Sequence, residues 1–198
     1  MGLTRTSGSP FITYLLGYPG VGEYTVARAL ASKTGAVVVD NQVVNQPILV
    51  LFNWNGKTQL PPGTLARTAP IRDAMLTALE EIAPPSLSYV FTNVLENTPD
   101  DVAVYERLRA AASRRDSLFL PVLLTCARGV QLQRVQTEER RRRLKVSDPG
   151  IVEGYMAETD LFVPDDPNLL TLDTTERSSE QSAALIIERL HRHQTLVE

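Results

Sequence analysis

The chain has 198 residues and a net charge of −3, with 43% hydrophobic and 22% charged residues. This is the composition of an ordinary globular domain that can bury a full core without metal or disulfide staples. The acidic balance does not favour nucleic acid or anionic membranes, no apolar run approaches the ~20 residues of a bilayer span, and the single cysteine, Cys126, can form no internal disulfide. A cytoplasmic protein with neither a nucleic-acid nor a membrane partner is expected.

The first ten residues, MGLTRTSGSP, lack the apolar stretch of a secretory signal. They read as a mobile polar tail, although Gly2 and Thr6 also fit the spacing of an N-myristoylation signal. Residues 11–16 (FITYLL) form an apolar run ending in a glycine-rich turn, the pattern of a buried strand. From Tyr24 to Thr34 the pattern is helical, with Ala27, Leu30, Ala31 and Thr34 on one face and Gly35 as the stop. Residues 36–40 (AVVVD) read as a second buried strand. Strand, turn, helix and strand make a βαβ unit, which requires a parallel sheet.

Residues 41–52 read as helical with a break near Pro47, and 53–63 (NWNGKTQLPPG) as a loop. A helix is predicted from a Thr68 cap to about Ala83, with Ile71, Met75, Leu79 and Ile82 inward, stopped by Pro84 and Pro85. The third strand spans 87–93. The next helix has Thr98 as cap, Pro99 at its first position and Asp101 as the capping-box acid, with Val102, Tyr105, Leu108 and Ala112 as its buried stripe. The fourth strand spans 118–126, where Pro121 argues against full ladder pairing. A charged segment at 128–148 and a short helix near 150–160 precede a fifth strand at 169–173. A last helix, about 179–192, buries Ala183, Ile186, Ile187 and Leu190.

Strands alternating with helices predict an α/β fold, a doubly wound parallel five-stranded sheet with helices on both faces, formed by residues 11–198 as one domain. Ligands gather at the carboxyl ends of such strands. The segments to examine are therefore 17–25, 40–41, 93–97, 126–128 and 173–174.

The first of these, Gly17-Tyr-Pro-Gly20-Val-Gly22-Glu23-Tyr24-Thr25, follows a strand and opens a helix. Gly17 and Gly22 stand at the spacing of the phosphate-binding loop G-x-x-x-x-G-K-[ST]. Glycines there let main-chain N–H groups turn inward as an anion nest, and the helix N-terminus adds partial positive charge. The plain alternative is a tight connection with no ligand.

The run resembles the G-x-P-G-x-G-K-x-T loop of adenylate kinase and its small-molecule kinase relatives, including shikimate kinase. The likeness extends more weakly along most of the chain. Gly17, Pro19, Gly20, Gly22 and Thr25 occupy the family positions, with Val21, Glu23 and Tyr24 between them. The resemblance implies ATP and Mg²⁺ as cofactors, with the Thr25 hydroxyl near a phosphate or in the metal's shell.

One position departs from that pattern. Glu23 stands where the family has its loop lysine. A unit charge pair at ~4 Å and an effective dielectric of ~20 is worth roughly 4 kcal/mol, so a charge reversal is a large change. Loss of catalysis is its natural consequence, because phosphoryl transfer depends on positioning and charge stabilisation. Three readings remain open: Glu23 marks a degenerate binding fold; it swings to solvent while another cation does the lysine's work; or it is an introduced variant, one base from a lysine codon.

Arg134, Arg140, Arg141, Arg142, Arg143 and Lys145 crowd the segment 134–150. In kinases resembling adenylate kinase this region is a lid that brings arginines to the phosphates. Arg134 carries over as a candidate neighbour of the adenine ring. One of Arg140–Arg143 is expected at the phosphates, with Arg140 and Arg141 the candidates. The alternatives are a solvated helix in which Glu138 and Glu139 pair with Arg142 and Arg143, and a nucleic-acid patch, which the lack of interleaved aromatics and the net acidic chain disfavour.

On the acceptor side, the resemblance implies that Asp40, at the end of the second strand, binds or deprotonates an acceptor hydroxyl. A carboxylate can accept the proton and hydrogen-bond the alcohol, whereas the competing role for Asp40 is a helix N-cap. Arg72 could pair an acidic group of the acceptor or form a surface salt bridge, and Asn93 follows the third strand beside the expected site. Trp54 reads as local packing or a cover over a substrate, Cys126 as buried filler, and His191 and His193 as remote. The expected activity is ATP-dependent phosphorylation of an unidentified small-molecule acceptor. A catalytically inactive nucleotide- or anion-binding protein on the same scaffold is the alternative, and a purely structural domain is a third reading.

Overall fold

The computed structural model describes residues 9–197. The expected tail and the Gly2/Thr6 signal therefore fall almost entirely outside the described residues. The strands are β1 (Phe11–Leu16), β2 (Val37–Asp40), β3 (Tyr89–Asn93), β4 (Leu118–Thr125) and β5 (Leu170–Asp173). The helices are α1 (Glu23–Thr34), α2 (Gln42–Leu49), α3 (Ala69–Glu81), α4 (Pro99–Arg114), α5 (Arg128–Val135), α6 (Glu138–Arg142), α7 (Pro149–Glu158) and α8 (Ser179–Val197).

All five strands are parallel, in the order β2-β3-β1-β4-β5. Alternation along β1 divides the core into two layers. Phe11 and Leu15 pack with Val26, Ala27 and Leu30 of α1 and Ala183, Ile186 and Leu190 of α8. Ile12, Tyr14 and Leu16 pack on the other face with Leu76 and Leu79 of α3 and Tyr105, Leu108, Ala111 and Ala112 of α4. Two apolar faces need two helix layers, which is the doubly wound arrangement. Because β1 is central and flanked by β3 and β4, the loop after it opens at the sheet's switch point, where α/β ligand crevices form.

Several local expectations are corrected. The chain stays helical through Pro47, inside α2, and continues into a 3₁₀ turn at Val50–Phe52. The carbonyl left without a partner belongs to exposed Val43, where water can satisfy it. Thr68 does not cap α3: a 3₁₀ turn over Leu65–Thr68 already leads into the helix, and the Thr68 hydroxyl donates to Leu65 O at 2.7 Å. Ile82 lies just past α3 and is 80% exposed. Asp101 accepts from Glu96 N at 2.6 Å rather than reaching back to Thr98 N, although Thr98 Oγ1 does accept from Asp101 N at 3.3 Å. Pro121 is accommodated because β4 pairs with β1 throughout while the β5 ladder begins one residue later, at Val122.

No helix among the described residues is long and apolar enough to cross a membrane, and no group of three or more His, Cys, Asp or Glu side chains is placed to hold a metal ion.

Candidate functional site

The loop between β1 and α1 requires its glycines. A Cβ on Gly17 would sit 2.7 Å from the Leu124 carbonyl oxygen. Gly20 has φ +101°, a region L side chains rarely adopt, and its Cβ would meet Gln131 O at 2.8 Å. The loop is moored on three sides. Tyr18 donates its hydroxyl to Thr159 O at 2.6 Å, Gln131 Nε2 donates to Pro19 O at 2.9 Å, and Thr174 Oγ1 lies 2.7 Å from Val21 O. Val26 N closes the first turn of α1 onto Gly22 O at 3.0 Å, while the N–H groups of Gly22, Tyr24 and Thr25 meet no acceptor among the described residues. Inward N–H groups without acceptors, at a helix start, are what an anion nest needs.

Glu23 does not swing to solvent. It opens α1 at 7% exposure, on the same face as Ala27 and Leu30. Burial pushes its carboxyl pKa up, against the opposing pull of Lys145, Arg140 and its own main-chain N–H. The carboxyl lies within electrostatic reach of Lys145 and Arg140 but forms no ion pair with either.

Those cations come from the basic segment, which is folded down over the loop. Past α6 the chain reverses at Leu144, a non-glycine residue at φ +52°. The reversal is held from both sides: Gln42 Nε2 donates to Leu144 O at 2.6 Å, Lys145 N to Arg140 O at 3.0 Å, and Ser147 N to Gly56 O at 2.8 Å. Arg143 donates to Asp40 Oδ2 at 2.5 Å and places its guanidinium 3.4 Å from the Tyr24 ring centroid. The Lys145 ammonium lies 3.1 Å from the Asp40 carboxylate. Arg140 donates its Nε–H to Val146 O at 3.1 Å, and burial lowers its pKa against the pull of Glu23 and Asp40.

Asp40 therefore binds cations and is not a helix cap; Asn41 occupies the cap position of α2 and makes no side-chain cap bond. Burial alone would push the Asp40 carboxyl up. The Lys145 charge and hydrogen bonds from Lys145, Arg143 and Thr92 outweigh it and hold the pKa below the usual carboxylate range. Thr92 Oγ1 donates to Asp40 Oδ1 at 2.9 Å.

Asp40, Arg72 and Asn93 all line one cavity of about 50 Å³ at the ends of β1, β2 and β3, together with Tyr14, Asn41 and Thr92. Asn93 Nδ2 donates to the Tyr14 hydroxyl at 3.0 Å, and its Oδ1 accepts from Asn41 Nδ2 at 3.2 Å. Burial raises the Tyr14 phenol pKa well above its ordinary value, so the hydroxyl stays neutral. Arg72 makes no hydrogen bond or ion pair among the described residues; its charge acts on Tyr14 across the cavity.

Several of the remaining expected residues lie outside this cluster. Arg141 is on the outer side of α6, paired with Glu138 at 3.2 Å, because the helix turns it away from Asp40. Arg142 also reaches Glu138, at 3.7 Å, whereas Arg143 leaves Glu139 for Asp40. Arg134 is committed to the loop after β5, donating to Thr174 Oγ1 at 3.0 Å and Thr174 O at 2.7 Å. Thr25 is exposed on the first turn of α1. Trp54 is buried as local packing, donating to Thr58 O at 2.7 Å. Thr92 and Tyr14 were not singled out from the sequence, and Lys145 was named only as a member of the basic run. Tyr14 carries a readable signal, its alternation with Leu16 on β1; Lys145 carries none, since its direction follows from the reversal at Leu144.

No family model and no curated protein matches the chain. Solved structures do share its fold. A sugar kinase from Janibacter sp. HTCC2649 superposes with a TM-score of 0.61 at 17% identity, over 92% of this chain and 95% of the other. A gluconokinase from Sinorhizobium meliloti 1021 gives 0.61 at 13%, over 98% and 97%. An APS kinase from Mycobacterium tuberculosis, solved with AMPPNP and APS, gives 0.57 at 15%, over 93% and 99%. At these identities the likeness is one of fold alone, an all-parallel five-stranded sheet with helices around it that this chain shares with these kinases.

Proposed function

We propose that the protein is an ATP-dependent phosphotransferase acting on a small-molecule acceptor, of the broad adenylate or shikimate kinase type, in the cytoplasm. The observation that carries this reading is the adjacency of an anion nest (17–25) and a cavity lined by Asp40, Arg72 and Asn93, with three cations between them.

The residues present fit a nucleotide polyphosphate on two grounds. The nest has main-chain N–H groups without acceptors, and Arg140, Arg143 and Lys145 bring positive charge to its neighbourhood. When bound, ATP supplies the phosphoryl group and Mg²⁺ offsets its charge, with Thr25 the candidate for the metal's shell. Magnesium is commonly held by phosphates, waters and one or two protein groups, so no preformed carboxylate cluster is required.

Asp40 is the candidate to orient the acceptor hydroxyl and take its proton at Oδ1 or Oδ2. While Arg143 and Lys145 hold it, its lowered pKa keeps it ionised but makes it a weak base. Moving those cations toward phosphate raises its basicity. Arg72 is the candidate partner for an anionic group of the acceptor, and Asn93 with Tyr14 for a hydroxyl. The cavity is well below the ~300–1,000 Å³ typical of ligand pockets, so an acceptor of sugar size requires the surrounding elements to part.

The second reading, a catalytically silent nucleotide- or anion-binding protein, is favoured by the buried Glu23 carboxylate beside the nest. The two separate on turnover. ATP consumption with a panel of small hydroxylated acceptors, present in this protein or restored by Glu23→Lys, supports the phosphotransferase. Nucleotide binding without turnover in both forms supports the silent binder, and absence of binding in both removes each of them.

A further inference from the structure

We infer that the positive charge missing from the phosphate loop has been relocated to Lys145, which serves as the phosphate-binding lysine from the opposite side of the site. The inference deepens the proposed nucleotide reading and rests on it.

Lys145 is ion-paired with Asp40 and lies within electrostatic reach of Glu23. It is foremost among the charges opposing the raised pKa of Glu23, and its ammonium is 3.1 Å from Asp40 and 5.4 Å from the Tyr24 ring centroid. It therefore sits between the first turn of α1 and the end of β2, in reach of the groups that flank a bound phosphate. Its side chain is only 13% exposed, unlike the solvated Arg142 of the same run at 78%.

The chain is built to hold it there. Leu144, just before it, takes a left-handed conformation that costs a non-glycine residue about 1 kcal/mol or more. Gly56 comes so close that a Cβ on it would sit 2.3 Å from the Lys145 carbonyl oxygen, and at φ +78° it favours glycine twice over. Hydrogen bonds from Gln42, Lys145 and Ser147 pin residues on both sides of the ammonium. A solvated helix end needs none of this. A strained turn and a close main-chain approach that fix one lysine against the Asp40 carboxylate and beside the Tyr24 ring are what a positioned charge requires.

Asp40 pairs with Arg143 and Lys145, Glu23 lies in the field of Lys145 and Arg140, and the formal charges of the five groups leave an excess of one cation. A lysine at position 23 would instead add a further positive charge beside Lys145 and Arg140. Glu23 is thus the resident counter-ion of a relocated lysine, and the reversal at position 23 and the placement of Lys145 are two halves of one exchange.

The test is calorimetric titration with Mg-ATP, and separately with inorganic tripolyphosphate, on the wild type, Lys145→Met, Lys145→Arg and two double variants. Lys145→Met is expected to weaken both ligands roughly 10- to 100-fold and Lys145→Arg far less. Glu23→Lys/Lys145→Met should restore binding, whereas Glu23→Gln/Lys145→Met, which removes the unpaired carboxylate without returning a cation, should not. Equal recovery in both doubles would mean that Lys145 only neutralises Glu23, and would overturn the inference. So would wild-type affinity in Lys145→Met. Folding of each variant is checked by its unfolding transition, and Lys145→Gln carries the test if Lys145→Met does not fold: a roughly 10- to 100-fold loss of affinity there with no loss of stability supports the inference, and wild-type affinity overturns it. Tripolyphosphate binding that depends on Lys145 without Mg-ATP binding would remove the nucleotide reading while leaving the relocated lysine standing. Binding of neither ligand by the wild type would remove both.

Discussion

Arg143 sits over the Tyr24 ring, 3.4 Å from its centroid, while an N–H at its edge donates to Asp40. One guanidinium thereby ties the basic segment to the first turn of α1 and to the end of β2. Removing the ring should loosen the segment without touching the sheet. Tyr24→Leu is expected to cost about 0.5–2 kcal/mol in urea unfolding and to speed amide exchange selectively over residues 140–147. Unchanged exchange there would mean that the stacked contact does not form in solution.

The two buried carboxyls pull stability in opposite directions with pH. Glu23 has a raised folded pKa, so its contribution is fully present below its unfolded value of about 4.3 and is lost as pH rises through the folded value. Asp40 has a lowered folded pKa, so its contribution is present above about 3.9 and is lost as pH falls through the folded value. Glu23→Gln should therefore be more stable than the wild type at pH 7, with the gap closing toward pH 4. Urea melts at several pH values decide it; a gap that opens on the acid side contradicts the assignment.

Gly56 faces the Lys145 carbonyl with no room for a side chain. Gly56→Ala combines a positive-φ penalty with a main-chain clash and should destabilise by about 1–3 kcal/mol. Limited proteolysis should then cut first in the displaced segment around 140–147. A variant as stable and as resistant as the wild type would rule out the close approach.

Thr174, buried after β5, lies 2.7 Å from Val21 O and 3.0 Å from Thr125 O while accepting from Arg134. Thr174→Val keeps the volume, removes the hydroxyl that meets Val21 O and Arg134 while Thr125 O keeps its bond from Thr174 N, and should cost about 1–3 kcal/mol. Because Arg134 shares the network, Arg134→Ala and Thr174→Val should couple by about 0.5–3 kcal/mol in a double-mutant cycle. Strict additivity would show that the loop after β5 is not moored through this pair.

The sheet was largely legible in the chain because its signals are local. Apolar runs, the glycine turn at 17–22, the Gly35 stop and the Thr98-Pro99 start each act within a few residues. Where a neighbouring element supplied what a local rule demanded, the rule failed. A preceding 3₁₀ turn made the Thr68 cap unnecessary, and solvent met the carbonyl freed by Pro47.

The sequence by itself determined that Gly17, Gly20 and Gly22 make a strand-to-helix nest, that Glu23 breaks the expected charge pattern, and that compensating cations are abundant near 134–145. Only the tertiary structure decided which of them arrive. Arg141 and Arg143 are two residues apart, yet one pairs outward with Glu138 and the other inward with Asp40. Helical rotation separates them, and the left-handed turn at Leu144 then aims Lys145 back across the site. Charge is a property of composition, but its direction depends on a backbone reversal held by Gln42 and Gly56, about 90–100 residues away in the chain.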